Sequence, residues 1–445
     1  MDKVIINTDQ QEKTANPVAQ NKRIILLDAM RGIAVLGILV MNIMEQGQPG
    51  IFYMNMNAGQ SQTGSNFFAW LFGMGLFEGV MRGMFCILFG VGSLLLLDRL
   101  EQRGIGLKAA DIFYRRMLWL LALGLLNAFV FLWPGDILYD YALIGLTLFP
   151  FRRMSASRLM IPITILLLFG IYRESSQQND TRLVIEKGKQ AEELNIHRHA
   201  LTPEQNSDLT AFQKFKTENS NPGMVVIGKE ASTAVQSANL SGLLKIIYDQ
   251  NIDFESTFFY NHWWDIALLF FTGMAFYRSG FITGESKTWI YIVVASGGLI
   301  ITLVMNYYDL MNIYNNKFDF VKITESASPV VFYQAKRLLQ VAAYLSALIL
   351  LYRLTSLRNI FKVFANVGQM ALTNYLMQSI ITSIIFFGFG FYGKLQRYEL
   401  IEAALLIWIF QIILSAIWLR YFTYGPFEWA WRSLTYLKTQ PFKRR

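Results

Sequence analysis

Apolar residues along this chain recur in runs long enough to cross a bilayer, separated by short polar connectors. Ten such runs stand out, at about 24–44, 80–97, 117–134, 137–151, 159–173, 258–277, 288–307, 331–352, 368–390 and 401–421. Each predicts a helix, because in hydrocarbon a spanning backbone must satisfy its own hydrogen bonds. The fourth and fifth runs are short, so they either tilt or pack deep in protein. The pattern lapses between 174 and 257, where Gln, Asn, Lys and Glu dominate and stretches such as Asp180 to Asn195 favour helix. This segment predicts a small helical cap or a partly disordered flap. The chain therefore reads as an all-α polytopic integral membrane bundle of about ten transmembrane helices with one large extracytoplasmic loop. Its parts are a tail 1–23, a transmembrane half 24–173, the loop 174–257, a second transmembrane half 258–422 and a basic tail 423–445.

Composition agrees with this reading: of 445 residues, 53% are hydrophobic and 16% charged, below the share expected of a soluble protein. The net charge of +9 is concentrated in connectors, so it sets orientation and does not argue for nucleic acid. Lys3, Lys13, Lys22 and Arg23 precede the first run; Arg99, Arg103, Lys108, Arg115 and Arg116 follow the second; Arg152, Arg153 and Arg158 follow the fourth. Arg353, Arg358, Lys362 and the tail from Arg432 to Arg445 fall on the same side of a ten-span arrangement, which places both termini in the cytoplasm. The 45–66 connector holds no Lys or Arg. The single cysteine, Cys86, permits no intrachain disulfide, and no Cys/His cluster exists for a metal; His197 and His199 are too few. The first run carries charge and lacks a cleavage site, so it is not a signal peptide.

A charge inside a membrane-length run costs a few kcal/mol on insertion scales and is rarely kept without use. Asp28 and Arg31 lie three residues apart on one helical face. Asn42, eleven residues after Arg31, falls about 20° past three turns and about 16 Å along the same face. This line of polar groups is either an internally paired strut or the wall of a polar cavity. Glu78 and Arg82, four apart, can pair in the approach to the second run. Gly75, Gly79 and Gly83 recur every fourth residue, a spacing that suits close helix packing. Asn127 interrupts the third run and must be hydrogen-bonded if buried. Pro134 and Gly135 break the helix, Asp136 is placed to cap the next one, and Tyr139, Asp140 and Tyr141 make this external turn polar. In the ninth run Asn374 and Gln378 share a face with Thr373 nearby, suiting interhelical bonds or a substrate groove. His262 stands beside Trp263 and Trp264, where an interfacial belt residue is the ordinary reading.

Taken together, Leu27-Asp28…Arg31-Gly32…Asn42, Arg82…Leu88 to Gly92, Gly135 to Leu138 with Tyr141-Ala142, Gly368 to Gln378, and Ile417 to Phe422 with Gly425 to Trp429 and Trp431-Arg432 resemble the YeiB-type bacterial membrane proteins, which carry the domain of unknown function 418. The resemblance covers nearly the whole chain outside the loop and implies a bacterial inner-membrane location. The family's first span is similar to that of membrane acyltransferases, including the heparan-glucosaminide acetyltransferase and acyltransferase-3 groups. The latter place a histidine where Asn42 stands, and many YeiB-type chains have a histidine where Asn127 stands. Asparagine cannot act as a general base.

Two functions of different kinds follow, neither settling whether the chain is an enzyme. In an acyltransferase, acyl-CoA (acetyl-CoA among them) would donate an acyl group to a lipid or glycan acceptor. Arg31 would then hold an anionic group, Asn42 and Asn127 would orient carbonyl or acceptor, and Asp136 or His262 would supply the base. Asp28, Arg82, Tyr141, Asn374 and Gln378 complete the candidate binding residues. In a transporter or flippase, Asp28–Arg31 and Glu78–Arg82 would be gating contacts. A non-catalytic membrane protein is the third reading. Membrane lipids are the expected surroundings and a second copy of the chain a candidate partner. No Gly-x-x-x-x-Gly-Lys-Ser/Thr stretch exists, which argues against ATP-driven transport by this chain alone.

Overall fold

A computed structural model describes residues 24–55, 63–104 and 106–444. The tail 1–23 with its four basic residues, and Arg445, lie outside the described residues. Among those described, the secondary structure is helical and contains no strand beyond an isolated bridge between Phe422 and Lys443.

In chain order the helices are α1 (Ile25–Gly47), α2 (Gly50–Met54), α3 (Gly64–Phe72) running into a π-turn at Gly73–Phe77, α4 (Val80–Gln102), α5 (Lys108–Phe129) and α6 (Ile137–Thr147). A 3-10 turn at Phe149–Arg153 leads into α7 (Ala156–Ile196), followed by α8 (Pro203–Asn219), α9 (Asn221–Ser237) and α10 (Leu240–Asp253). After a π-turn at Phe254–Phe258 come α11 (Phe259–Arg278), α12 (Thr288–Asn315), α13 (Phe320–Ser326) and α14 (Tyr333–Arg353). The chain closes with α15 (Arg358–Gln369), α16 (Ala371–Ser383), a π-turn at Ile384–Gly388, α17 (Arg397–Tyr421) and α18 (Pro426–Tyr436).

Eight of these segments are long and apolar enough to cross a membrane. The two other runs read from the sequence are also helical. One is α6, only 11 residues long. The other is α11, 20 residues long, whose first turns hold the polar Asn261, His262 and Asp265. α7 does not stop with its apolar run: its 41 residues form one helix, about 60 Å at 1.5 Å per residue, and its polar second half projects beyond the apolar layer. That half and α8 to α10 form the helical cap over residues 174–257. The cap docks on the bundle through the Phe52 ring against Gly228, Asn55 Nδ2 donating to Asn221 Oδ1 at 2.8 Å, and Gln236 Nε2 donating to the Tyr392 carbonyl at 2.8 Å.

At the opposite end, basic side chains tie the connectors together. Arg278 makes a two-pronged pair with Asp98, both contacts 2.8 Å, and Arg152 Nε reaches Glu101 at 2.8 Å. α18 folds back on α5, with Trp431 Nε1 donating to the Arg116 carbonyl at 2.9 Å.

Glycine decides where helices touch. A Cβ on Gly32 would come 2.0 Å from the Phe364 carbonyl oxygen, and one on Gly368 would come 1.7 Å from the Asp28 carbonyl oxygen. α1 and α15 therefore cross backbone to backbone. α4 and α11 repeat the device, since Gly90 meets the Phe270 carbonyl and Gly273 meets that of Ile87. In lipid, where helix association relies on close packing, small residues allow such contacts. Gly79 acts differently from its neighbours in sequence. It takes φ +67 and ends the preceding turn, so Glu78 and Arg82 are not on one continuous helix.

Gly368→Ala is expected to cost more than about 3 kcal/mol, as severe overpacking does. Thermal unfolding in detergent micelles checks this; a midpoint equal to that of the parent would contradict the backbone crossing. Orientation is tested by cysteines placed at Ser207 and Lys438, with buried Cys86 as background. An impermeant maleimide on whole cells is expected to label the first and spare the second.

Candidate functional site

The crossing of α1 and α15 sets the first polar pair in place. Asp28 is 8% exposed, and Arg31 Nη1 donates to its Oδ1 at 2.9 Å. The pair lines a cavity of about 220 Å³ at the end of the bundle where α18 packs. Three more guanidiniums reach this cavity: Arg99 from α4, Arg116 from α5 and Arg432 from α18. Arg116 lies over the Trp431 ring at 3.7 Å and Arg432 over the Tyr424 ring at 4.8 Å, contacts that steer a guanidinium without neutralising it. Against these four cations the cavity sets two carboxylates, Asp28 and Glu428. Asp28 is engaged by Arg31. Glu428 accepts from the Thr373 backbone N–H at 3.0 Å and from its hydroxyl at 2.5 Å. Burial raises the Glu428 carboxyl above the ordinary carboxylate range, opposed by those bonds from Thr373. The mouth is thus cationic in balance, while Leu27, Phe85, Leu88, Leu120 and Leu372 make the walls apolar.

Tyr141 and Tyr375 also line the cavity. Tyr141 Oη lies 2.8 Å from Cys86 Sγ. Tyr375 Oη accepts from the Ile137 backbone N–H at 3.2 Å and donates to Asp136 Oδ1 at 3.2 Å. Asp136 has the capping role its position suggested, its Oδ2 accepting from Tyr139 N–H at 2.8 Å. Asn127 Nδ2 donates to Asp136 Oδ1 at 2.8 Å. The turn that carries them is not an outer-surface turn. Asn127 and Asp136 are fully buried and Trp133 nearly so. Phe131 accepts from Ser383 within the bundle, and Asn251 of α10 covers Ala128 by donating to its carbonyl. A helix as short as α6 brings the turn inward, and Gly135 at φ +124 supplies the bend.

The other candidates read from the sequence lie elsewhere. Asn42 is half-buried farther along α1 and does not line the cavity. His262 does not line it either; its ring stacks on Phe258 at 4.2 Å and its Nδ1 lies 2.9 Å from the Phe258 carbonyl. Arg82 pairs with Asp265 at 2.8 Å and not with Glu78, because the break at Gly79 separates them; Glu78 accepts from Tyr333 Oη at 2.9 Å. Arg337, 2% exposed, joins Asp265 from the other side. Asn374 Nδ2 donates to the Val367 carbonyl and to Ser415 Oγ, both at 3.0 Å, and Gln378 Nε2 to the Val35 carbonyl at 3.1 Å and Gln411 Oε1 at 3.0 Å. These amides join α16 to α1 and α17 and form no groove. Among the described residues, no three His, Cys, Asp or Glu side chains are grouped to hold a metal ion.

Glu255, in the π-turn before α11, is 7% exposed. Burial first, then the neighbouring Asp136 and Asp140 carboxylates, push it up to about 9.

Residues 276–438 match the family described as "Protein of unknown function (DUF418)". The chain is 27% identical over 455 residues to the uncharacterized protein YxaH of Bacillus subtilis (strain 168), covering 96% of this chain and 98% of that one. It is 27% identical over 430 residues to the uncharacterized protein YeiB of Escherichia coli (strain K12), covering 93% and 96%. It is similar also to an uncharacterized 39.9 kDa protein in an amylase 3' region of Bacillus acidopullulyticus, 25% identical over 431 residues, covering 96% and 97%. No solved structure matches the chain significantly.

Arg31→Leu is expected to destabilise the protein more than the double change Asp28→Leu/Arg31→Leu, because the single change strands a buried carboxylate; the difference should be about 1–3 kcal/mol. Equal midpoints in thermal unfolding would contradict a buried pair. For Glu255 the folded-state value exceeds the unfolded 4.5, so its contribution to stability is complete below pH 4.5 and is lost as pH rises to about 9. Glu255→Gln should flatten the stability–pH curve across that window.

Proposed function

We propose that this chain, a polytopic membrane protein of the DUF418 family, is a membrane acyltransferase that takes acyl-CoA from the side of the bundle where α18 packs and passes the acyl group to an acceptor in the membrane. The observation that carries this reading is a cavity with four guanidiniums at its mouth, apolar walls, and a tyrosine hydroxyl bonded to a buried carboxylate. Arg99, Arg116 and Arg432, with Arg31 behind them, suit phosphate groups, which planar guanidiniums bind as forks. The apolar walls suit the acyl chain. The positive-inside rule puts this mouth in the cytoplasm, where acyl-CoA resides.

In the reaction, an acceptor hydroxyl or amine adds to the thioester carbonyl and gives its proton through Tyr375 Oη to Asp136. Collapse of the adduct breaks the carbon–sulfur bond, and the CoA thiolate leaves as the thiol after recovering that proton. Asn127 holds Asp136 in place. Asp136 already accepts from Asn127, Tyr375 and the Tyr139 backbone together, so an arriving acceptor must compete for its oxygens. A histidine at 127 would place an imidazole on Asp136 and supply a base near neutral pKa.

A second reading, passage of the same amphiphile across the bilayer, is favoured by the Arg82–Asp265–Arg337 cluster in the bundle interior, which resembles a charged waypoint.

Binding of acyl-CoA to the purified full chain in nanodiscs tests the donor site. Arg116→Gln is expected to weaken it by about ten- to a hundredfold, the loss of one charge-assisted contact worth roughly 1.5–3 kcal/mol. Asn127→His is expected to consume radiolabelled acetyl-CoA faster than the parent. If neither form binds acyl-CoA, the transferase reading fails; if acyl-CoA crosses vesicles without release of free CoA, transport replaces it.

A further inference from the structure

The face of α4 that lines the arginine cavity does not end with the cavity. Phe85, Phe89, Gly92, Leu96 and Arg99 line it and are half-buried, at the three- and four-residue spacing of one helical face. Arg82 is next on that face, one turn or about 4.5 Å beyond Phe85, and its side chain is 32% exposed. Helices surround α4 at this height. Met81 meets α1 at Gly37, Gly83 meets α14 at Val341, Cys86 meets α6 at Tyr141, and Ile87 meets α11 at Gly273. The accessible surface of Arg82 therefore borders interior space, on the side of Phe85 away from α18.

α1 supplies another wall of this space. Its residues 34–40 are buried, and accessible surface returns at Met41, Asn42 and Glu45. Among the described residues Asn42 and Glu45 have no hydrogen-bond or ion-pair partner. Arg82 spends Nη2 on Asp265 at 2.8 Å and no other nitrogen, and Glu78 spends one oxygen on Tyr333. Glu45 and Arg82 are near enough to attract one another, yet they form no ion pair. Tyr53 of α2 faces the same groups. Burial first, then Glu78 and Glu45, hold its hydroxyl well above the ordinary range, against the pull of Arg82 and Arg397.

A carboxylate and a guanidinium kept apart across accessible space fit an occupant of the reverse polarity. A lone cation would satisfy Glu45 only and a lone anion Arg82 only, and either would add net charge to a low-dielectric interior. We infer that this space binds a small zwitterion, its anionic group held by the nitrogens of Arg82 that Asp265 leaves free and its ammonium by Glu45. Asn42, three residues from Glu45 on the same face of α1, adds an amide to the ammonium end. A guanidinium takes carboxylate and phosphate alike, so a free amino acid and the ethanolamine-phosphate headgroup of a lipid share this chemistry. The inference stands apart from the transferase reading, because neither Arg82 nor Glu45 lines the arginine cavity.

Binding of radiolabelled glycine and of radiolabelled glycerophosphoethanolamine to the full chain in nanodiscs tests the site. Saturable binding is expected, and equimolar ethanolamine or acetate, each carrying one charge of the pair, should not displace it. Glu45→Gln removes a carboxylate that has no partner to strand, and is expected to weaken binding by about ten- to a hundredfold, the loss of one charged contact. Arg82→Gln should do the same; where it misfolds because Asp265 loses a partner, the Glu45 variant decides alone. Tighter binding of glycerophosphoethanolamine assigns the site to a lipid headgroup, and tighter binding of glycine to a free amino acid. The inference is overturned if neither zwitterion binds, if ethanolamine or acetate displaces as well as glycine does, or if folded Glu45→Gln keeps the parent affinity. Acyl-CoA binding measured on the same samples keeps the two proposals apart. A chain that binds acyl-CoA and no zwitterion loses this site alone, and one that binds a zwitterion and no acyl-CoA loses the donor site alone.

Discussion

The backbone contact between α1 and α15 is the constraint on which the site depends. Gly32 and Gly368 leave no room for a Cβ, so the helices meet at carbonyl distance. That crossing fixes the height of Asp28 and Arg31 against the start of α16. It thereby aligns Thr373, which receives Glu428 from α18, and Tyr375, which reaches Asp136. A side chain at either glycine would push α16 away from α1, and the interhelical amide bonds of Gln378 would be lost with it. In hydrocarbon such bonds have modest net worth, about 0.6 kcal/mol in measured cases, so the close packing has to carry the association.

The cavity is dominated by arginine, with its carboxylates already engaged. Charges in a low-dielectric interior are tolerated where they are paired or face a polar space. Asp28–Arg31 and Arg82–Asp265–Arg337 follow the first course. Arg116 and Arg432, resting on aromatic rings, follow the second.

Much of the architecture was legible in the pattern of apolar runs, since helices at membrane depth have few alternatives. The Asp28–Arg31 pair followed from spacing alone, as did the cap made by Asp136. Other features depend on contacts distant in sequence. Arg99 and Arg116 read as topogenic charges because nothing local shows that α18 folds back to bring Arg432 beside them. Their one advance sign was the Trp431-Arg432 pair in a tail that has no spanning role. The partner of Arg82 was misread because Gly79 breaks the helix with a positive φ that a spacing rule cannot see. His262 drew attention as the histidine nearest a span, yet it does not line the cavity and stacks on Phe258. The turn at 130–136 read as a polar external turn, and the fold covers it with α10, whose Asn251 donates to the Ala128 carbonyl.

The account's central claim is that the arginine cavity is the seat of a phosphorylated acyl donor. Cryo-electron microscopy of the full chain in nanodiscs with a non-hydrolysable acyl-CoA tests it most directly. The account predicts phosphate density within hydrogen-bonding distance of Arg116 and Arg432, with the acyl chain running along Leu88 and Leu372 towards Tyr375. Density for the ligand elsewhere in the bundle, or an empty cavity at saturating ligand, would contradict it.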